Sequence, residues 1–191
     1  MKKFIPLILS LLFLQCSTSK LSELYSVYSP ADYIYWSSTR QLTWDDFQGE
    51  PLSSANYASE IHIYNPSTVE KSNMFSSPKL TAICVFDKRH SWVDRSLANS
   101  TTLEYNQVIF NIYEVYTRKL RKTFSETKFG LDDFTEKYHS MTERLNSELT
   151  DEVEQFRKES ELGKNDRVVN EWAEKIKSDL ENLKKFGENS N

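Results

Sequence analysis

Histidine is the side chain best suited to bind a metal ion or move a proton near neutral pH, and this chain contains three of them: His62, His90 and His139. They fall in a predicted strand, at a strand-to-loop junction and in a predicted helix, and none lies four residues from another histidine. Two ligands on one helix share a face at that spacing. We therefore expect ordinary surface or hydrogen-bonded histidines, and no metal site relocated onto them.

Carboxylates offer two further candidates. Asp45, Asp46 and Glu50 cluster beside Trp44 and could bind a cation, but such a group in a turn-rich segment is more typical of a solvated turn. Glu114 lies four residues before Arg118 in a predicted helix, a spacing that favours an intrahelical ion pair over a catalytic role.

No familiar catalytic or nucleotide-binding motif accompanies these residues. The sequence contains no G-x-S-x-G, Walker, G-x-G-x-x-G or C-x-x-C pattern. The net charge is −4, and removing residues 1–15 with their two lysines would take it to −6. An acidic chain without a basic stripe is a poor binder of phosphates, so we expect no nucleic-acid partner.

The N-terminal segment carries the features of an export signal. Lys2 and Lys3 precede an apolar stretch of 11 residues, Phe4 to Leu14. A membrane-spanning helix needs about 20 apolar residues, so this stretch is typical of a signal peptide.

The end of that segment, Phe13-Leu14-Gln15-Cys16, resembles the lipobox of bacterial lipoproteins, in which the cysteine is lipidated and becomes the N-terminus. Gln15 stands where a small residue is usual, and plain secretion is the alternative. Two or three acyl chains, at about 0.8 kcal/mol per buried methylene, would make an effectively permanent anchor. Cys84, the other cysteine, lies in an apolar run and is expected to be a small buried hydrophobic residue.

Hydrophobic periodicity predicts the elements that position these residues. Alternation predicts a half-buried strand over 57–64, and a β-branched apolar run predicts a second over 79–87, with a third strand from 33–44. Apolar residues spaced three and four apart predict three helices, over roughly 97–127, 131–156 and 166–186. Gly130 and Gly163 are expected to separate them. Asp132 or Asp133 is the expected N-cap of the second helix, and Asn165 or Asp166 that of the third. The fold class is therefore α+β, a small antiparallel sheet followed by three long helices.

The segment 103–121 reads LEYNQVIFNIYEVYTRKLR. It resembles the H-E-x-x-H helix of a bacterial family of secreted zinc-dependent proteases, the domain of unknown function numbered 922. The residues that agree with the family pattern are Leu103, Gln107, Phe110, Ile112, Glu114, Arg118, Leu120 and Arg121. Three further segments agree in the family's order: LTWDDFQGEP at 42–51, Ser91-Trp92-Val93, and FRKESELGKNDRVVNEW at 156–172. The resemblance therefore spans about residues 36–186 and implies a zincin-like arrangement.

The resemblance also identifies what has changed. The family's two zinc-binding histidines, its general-base glutamate and the histidine of a later T-x-H-G motif correspond to Tyr105, Ile109, Asn106 and Leu162 here. A phenol with a pKa near 10 is a poor ligand at pH 7, an amide is no base, and an alkyl group has no lone pair. The resemblance therefore implies a lost metal site and no cofactor. We expect Tyr105 and Ile109 to form an apolar pair that Leu162 could join.

Together these features predict a lipoprotein of the bacterial cell envelope with a catalytically inactive zinc-protease-like domain that binds a protein or envelope component. The alternatives are an active envelope hydrolase with a rebuilt or relocated site, and a helical structural scaffold. The expected boundaries are a signal peptide over 1–15, a lipid anchor and tether over 16–35, the domain over 36–186 and a tail over 187–191.

Overall fold

The computed structural model of this protein describes residues 20–70, 76–130 and 132–187. The predicted signal peptide, Cys16 and Leu131 lie outside the described residues. A short helix, α1 (Lys20–Val27), opens the described chain. No helix within the described ranges is both long enough and apolar enough to cross a membrane.

Seven short strands occur in the described ranges. They form three small antiparallel sheets, a three-stranded one in the order β1-β6-β3 and two pairs, β2-β7 and β4-β5. Their bounds are β1 (Tyr33–Tyr35), β2 (Ser59–Glu60), β3 (Ile63–Tyr64), β4 (Ser67–Glu70), β5 (Lys79–Ala82), β6 (Val85–Asp87) and β7 (Trp92–Val93).

The prediction of one continuous strand over 57–64 and one over 79–87 is wrong, because each segment changes partner midway. Within the first, the His62 amide donates to the Ser91 hydroxyl (2.9 Å) rather than to a neighbouring strand. Within the second, the Ile83 amide donates to the Pro66 carbonyl oxygen (3.0 Å), while the Cys84 carbonyl oxygen accepts from Trp36 (2.9 Å). The segments therefore split into β2 and β3, and into β5 and β6.

The antiparallel pairing between these two segments is confirmed by β3 and β6, where Ile63 lies opposite Phe86. The third strand expected within 33–44 is confirmed as β1, which places Ile34 opposite Phe86 on the other side. The range 16–35 is predicted to be a lipid anchor and tether. Helix α1 and strand β1 fall within that range, so regular structure begins before residue 36.

Three long helices follow the sheets: α2 (Ser100–Glu126), α3 (Phe134–Glu159) and α4 (Asp166–Asn182). Helix α2 begins three residues later than predicted because Asn99 caps it, accepting from the Thr102 amide (2.9 Å). Asn165 caps α4 in the same way, one of the two residues expected there. The α+β fold with three helices after the small antiparallel sheets is thus confirmed.

Helix α2 is the centre of the molecule. It contacts α3 and α4 on one side and strands β3 and β5 on the other. Its side chains Val108, Ile112 and Val115 are fully buried in the core. Cys84 is buried in the core, as predicted. The central part of α2, residues 105–120, is mostly buried, so any chemistry there depends on what its neighbours leave open.

Candidate functional site

Helix α2 brings Tyr105, Asn106 and Ile109 together near its N-terminal end, as their spacing predicts. Their relative exposures are 4%, 0% and 1%, so this patch of the helix is closed to solvent. A metal site of the kind the resemblance implies needs ligand atoms facing a common space with access for a substrate. Here the corresponding side chains are packed into the protein interior.

Tyr105 is enclosed by α3 and by the turn that follows it. Its ring stacks on that of Phe156, with centroids 5.2 Å apart and an interplanar angle of 30°. Gly163 lies directly behind, since a Cβ added there would be 2.9 Å from the Tyr105 Cβ. Burial raises the pKa of Tyr105 to about 12, although the nearby Arg157 lowers it. The phenol is therefore neutral at physiological pH and poorly suited to bind a cation.

Asn106 uses its amide to hold the helix against a strand. Its Nδ2 donates to the Ser59 hydroxyl (2.7 Å) in β2 and to the Thr102 carbonyl oxygen (2.7 Å) one turn earlier. Its Oδ1 is buried without a hydrogen-bond partner among the described residues. Both N–H groups are thus used for structure, and an amide cannot take a proton from water at neutral pH.

The expectation that Leu162 could join Tyr105 and Ile109 is wrong. Leu162 is 39% exposed and has a left-handed backbone (φ 56°), flanked by Glu161 (φ 52°) and Gly163 (φ 82°). This turn directs the Leu162 side chain into an open cleft of about 460 Å³ at the end of α3, where five of the six lining residues are charged. Phe156, from the apolar stripe of α3, covers Tyr105 instead.

Arg157, next to Phe156, is a neighbour that sequence reasoning missed. Its guanidinium bonds to a Glu60 carboxylate oxygen (3.1 Å), which links α3 to β2. Burial alone would lower its pKa, but Tyr105 and Glu60 hold the pKa of Arg157 above its usual value. Positive charge beside Tyr105 is unfavourable for a divalent cation.

Farther along α2, the predicted ion pair between Glu114 and Arg118 is confirmed. Arg118 Nε lies 2.8 Å from Glu114 Oε1, and both side chains are buried. The same oxygen accepts from Arg121 Nη1 (3.3 Å), a partner the sequence reasoning did not assign. Arg118 also lies under the Trp36 ring, 4.8 Å from its centroid.

The two arginines also bind backbone carbonyl groups of distant segments. Arg118 donates to the Leu180 carbonyl oxygen (2.8 Å), and Arg121 donates to those of Ala82 (2.7 Å) and Phe186 (2.9 Å). The charged cluster of Glu114, Arg118 and Arg121 on α2 therefore joins strand β5 to α4 and to the C-terminal turn that follows α4.

Two further residues that agree with the family pattern, Gln107 and Phe110, also make structural contacts. Gln107 accepts from the Leu42 amide (2.8 Å) and donates to Asn111 Oδ1 (3.0 Å). Trp36 Nε1 donates to that same Asn111 oxygen (2.9 Å). Phe110 is buried in the core, with its ring centroid 6.1 Å from that of Phe86.

The histidines lie in two places. The His62 and His90 rings are neighbours with centroids 6.1 Å apart, and His90 Nδ1 lies 2.8 Å from Asp87 Oδ2. His139 is separate and lies 3.0 Å from Glu143 on the α3 surface. Within the described ranges, no three or more His, Cys, Asp or Glu side chains are grouped so that they could hold a metal ion. Sequence spacing gave no signal for the approach of His62 to His90, because it arises from sheet pairing.

The acidic turn is only partly solvated. Asp45 is exposed and lies 3.1 Å from Arg95, as expected of a surface carboxylate. Asp46 is buried, accepts from the Thr43 amide (2.8 Å) and pairs with Arg40 (2.7 Å). For Asp46 the interpretation as a solvated residue is wrong, because its carboxylate caps the short 3₁₀ turn Trp44–Asp46.

Comparison with known protein families, with curated proteins and with solved structures finds no match to this chain.

Proposed function

We propose that this protein is a lipid-anchored, non-catalytic binding domain of the bacterial cell envelope, and a degenerate relative of the zinc-dependent protease family that it resembles. The observation that carries the proposal is the burial of Tyr105, Asn106 and Ile109 on one patch of α2. These positions would hold the metal and the general base in that family. They are filled by groups that can neither bind zinc nor accept a proton at neutral pH.

The surroundings of this patch support the proposal. Phe156 stacks on Tyr105, Gly163 approaches its Cβ, and Arg157 adds a positive charge beside it. Glu114, the remaining carboxylate of the pattern, is engaged by two arginines. A protease site needs an open position for water and substrate, and none of these contacts leaves one.

The pattern of retained residues also supports a relationship to that family. Gln107, Phe110, Glu114 and Arg118 all make buried structural contacts. Gly163 has the positive φ that favours glycine. The residues that maintain the fold have thus been kept, whereas those that perform hydrolysis have been replaced. This pattern is expected of a domain selected for its shape.

The proposed anchor would keep the domain close to the membrane. Helix α1 begins at Lys20, four residues beyond Cys16. Four extended residues span at most about 14 Å. A lipid on Cys16 would therefore hold α1 and the sheet edge next to it near the lipid headgroups, so a fixed or abundant envelope ligand is the natural partner.

Lipidation is tested by growing cells that express the full chain with an alkyne analogue of palmitate. The wild-type protein should be labelled and should sediment with membranes. The Cys16→Ser variant should carry no label, whereas Cys84→Ser, the matched control, should behave like wild type. Label that persists in Cys16→Ser would overturn the anchor.

Loss of catalysis is tested on the purified protein by elemental analysis for zinc and by a peptide-hydrolysis assay, with an active zinc protease run in parallel. We expect less than one zinc per ten chains and no chelator-sensitive hydrolysis. One zinc per chain together with hydrolysis that a chelator abolishes would refute the proposal and favour an envelope hydrolase with a rebuilt site.

A further inference from the structure

A second cleft, distinct from the charged one at the end of α3, lies beside the sheet. It has a volume of about 400 Å³ and is bounded by the 63–66 segment, by Tyr28 just after α1, and by α2 and α3. None of the described residues that line it is charged, although 27% of the chain is Asp, Glu, Lys or Arg. Such a site offers an ion no partner and selects for a neutral ligand.

Three tyrosines form the walls of this cleft: Tyr28, Tyr64 and Tyr113. Tyr28 is held by an edge-on contact with Tyr33, with ring centroids 5.1 Å apart. The Tyr64 ring lies 6.2 Å from that of Tyr28 and 6.4 Å from that of Tyr33, and Tyr64 remains 40% exposed. The aromatic wall is therefore preassembled and accessible, with flat apolar faces beside polar hydroxyl groups.

The rest of the lining supplies hydrogen-bonding groups above an apolar floor. Asn65 and Asn146 contribute amides, which donate and accept, and Leu149 provides a buried base. The Thr150 hydroxyl donates to the Asn146 carbonyl oxygen (2.9 Å), which leaves its own oxygen free to accept. Closely spaced neutral donors and acceptors around a few aromatic faces are a common arrangement in ligand sites.

The wall that carries Tyr64 is held firmly by the sheet. Tyr64 belongs to β3, which pairs with β6 opposite Val85. The carbonyl oxygens of His62 and Pro66, on either side of it, accept from the Asp87 amide (2.9 Å) and the Ile83 amide (3.0 Å). Binding would thus require little ordering of the backbone, which lowers its entropic cost.

From this lining we infer that the tyrosine cleft binds a neutral oligosaccharide. The C–H faces of pyranose rings pack on aromatic faces, and their hydroxyl groups pair with amide and hydroxyl side chains. Sugars with carboxylate, phosphate or sulfate groups would find no cation in the lining. This inference rests on the proposed function, because it supplies the envelope-binding domain with its site and class of ligand. A peptide is the competing occupant.

The inference is tested by isothermal titration calorimetry of the folded protein with chitotriose and with cellotriose, both neutral trisaccharides. A sulfated trisaccharide and an uncharged tetrapeptide serve as comparison ligands. We expect at least one neutral trisaccharide to bind and the two comparison ligands not to bind. Tyr64→Ala should weaken that binding roughly tenfold or more, the effect of removing a central aromatic contact.

A second variant is needed because the Tyr64 ring supports Tyr28, so Tyr64→Ala could disturb the fold as well as the cleft. Asn146 is exposed on α3, so Asn146→Ala should fold normally and still weaken binding severalfold. Leu162→Ala in the charged cleft is the matched control and should bind like wild type. Absence of neutral-sugar binding, tighter binding of the sulfated sugar or the peptide, or undiminished affinity in both cleft variants would overturn the inference.

The same experiment separates this inference from the proposed function. If no trisaccharide binds and none is cleaved, the saccharide site is refuted while the non-catalytic domain stands. If a trisaccharide is consumed during the titration, the protein is a hydrolase and the proposed function fails.

Discussion

The two halves of helix α2 are built in opposite ways. The first half presents Tyr105, Asn106 and Ile109 to the interior, and it is closed by aromatic stacking and apolar contacts. The second half presents Glu114, Arg118 and Arg121, and it is closed by charge pairing and by bonds to backbone carbonyl groups. One helix thus carries a neutral half beside a charged half, and of the six side chains named here only Arg121 is more than marginally exposed to solvent.

The difference shows where buried polarity is retained. A buried charge is costly unless it is fully paired, so a buried carboxylate survives only where partners compensate it. Glu114 has two such partners, and they in turn connect segments that are distant in sequence. At position 106, where the proposed relatives have a carboxylate, an amide bonded to Ser59 and Thr102 occupies the site without any charge.

The largest effect should come from disturbing the charged half. Glu114→Gln leaves Arg118 and Arg121 buried without a counterion, so we expect a loss of about 3–5 kcal/mol in the free energy of unfolding. Urea denaturation of the full chain measures it. The matched control is Glu148→Gln, which removes a surface pair with Arg144 (3.0 Å) and should change the free energy by less than about 0.5 kcal/mol. Equal losses in the two variants would contradict the contrast between the halves.

The next largest effect tests how tightly the neutral half is closed. Gly163 has φ +82°, and a Cβ there would lie 2.9 Å from both Cβ and Cγ of Tyr105. Gly163→Ala should cost about 2–4 kcal/mol, from backbone strain of about 1–2 kcal/mol together with the displacement of a packed ring. Gly130→Ala is the control, since the atoms nearest to its added Cβ belong to the partly exposed Asp133 carboxylate (3.2 Å) and not to a packed ring. A negligible loss in Gly163→Ala would mean that the Tyr105 ring can move.

The sequence predicted well which residues share a face of α2, but it predicted the contacts of α2 with other elements less completely. Spacing alone identified the shared patch of Tyr105 and Ile109 and the ion pair of Glu114 with Arg118, because both depend only on helix geometry. It could not identify Phe156 as the cover of Tyr105, since that contact depends on how α3 crosses α2. The same limit applies to the approach of His62 to His90 and to the split of the predicted strands.

Leu162 illustrates a different limit. The family resemblance placed Leu162 near Tyr105 and Ile109, yet two consecutive left-handed residues turn its side chain outward. Non-glycine residues rarely adopt that conformation, so a sequence signal for it hardly exists. The tyrosine cleft was also missed, because Tyr28, Tyr64 and Tyr113 lie far apart in the chain and share no period.

A pH-dependent effect sharpens the description of the neutral half. The folded-state pKa of Tyr105 is raised to about 12, mainly by burial, while an unfolded tyrosine titrates near 10. The folded state therefore binds this proton more tightly. The resulting stabilisation is fully present below about pH 10, and roughly 2–3 kcal/mol of it is lost as the pH rises to about 12.

Tyr105→Phe removes this contribution. The variant should lose less stability than wild type between about pH 8 and about pH 11.5, measured as the change in free energy of unfolding in urea. Part of the pH dependence should remain, because burial and Glu152 also raise the pKa of Tyr116. An identical pH dependence in both proteins would mean that the Tyr105 hydroxyl reaches solvent.

The smallest effect concerns the residue that the sequence placed in the neutral half and the structure does not. Leu162 is exposed and left-handed, so removing its side chain exposes little new apolar surface. Asparagine tolerates this backbone conformation better than leucine does. Leu162→Asn should therefore change the free energy of unfolding by less than about 0.5 kcal/mol, or raise it slightly.

Ile109→Asn, the same polar replacement in the closed patch, should cost several times more, because it buries an amide without partners. A loss above about 2 kcal/mol in Leu162→Asn would place Leu162 inside the neutral half after all, and the boundary drawn between the packed patch and the charged cleft would have to move.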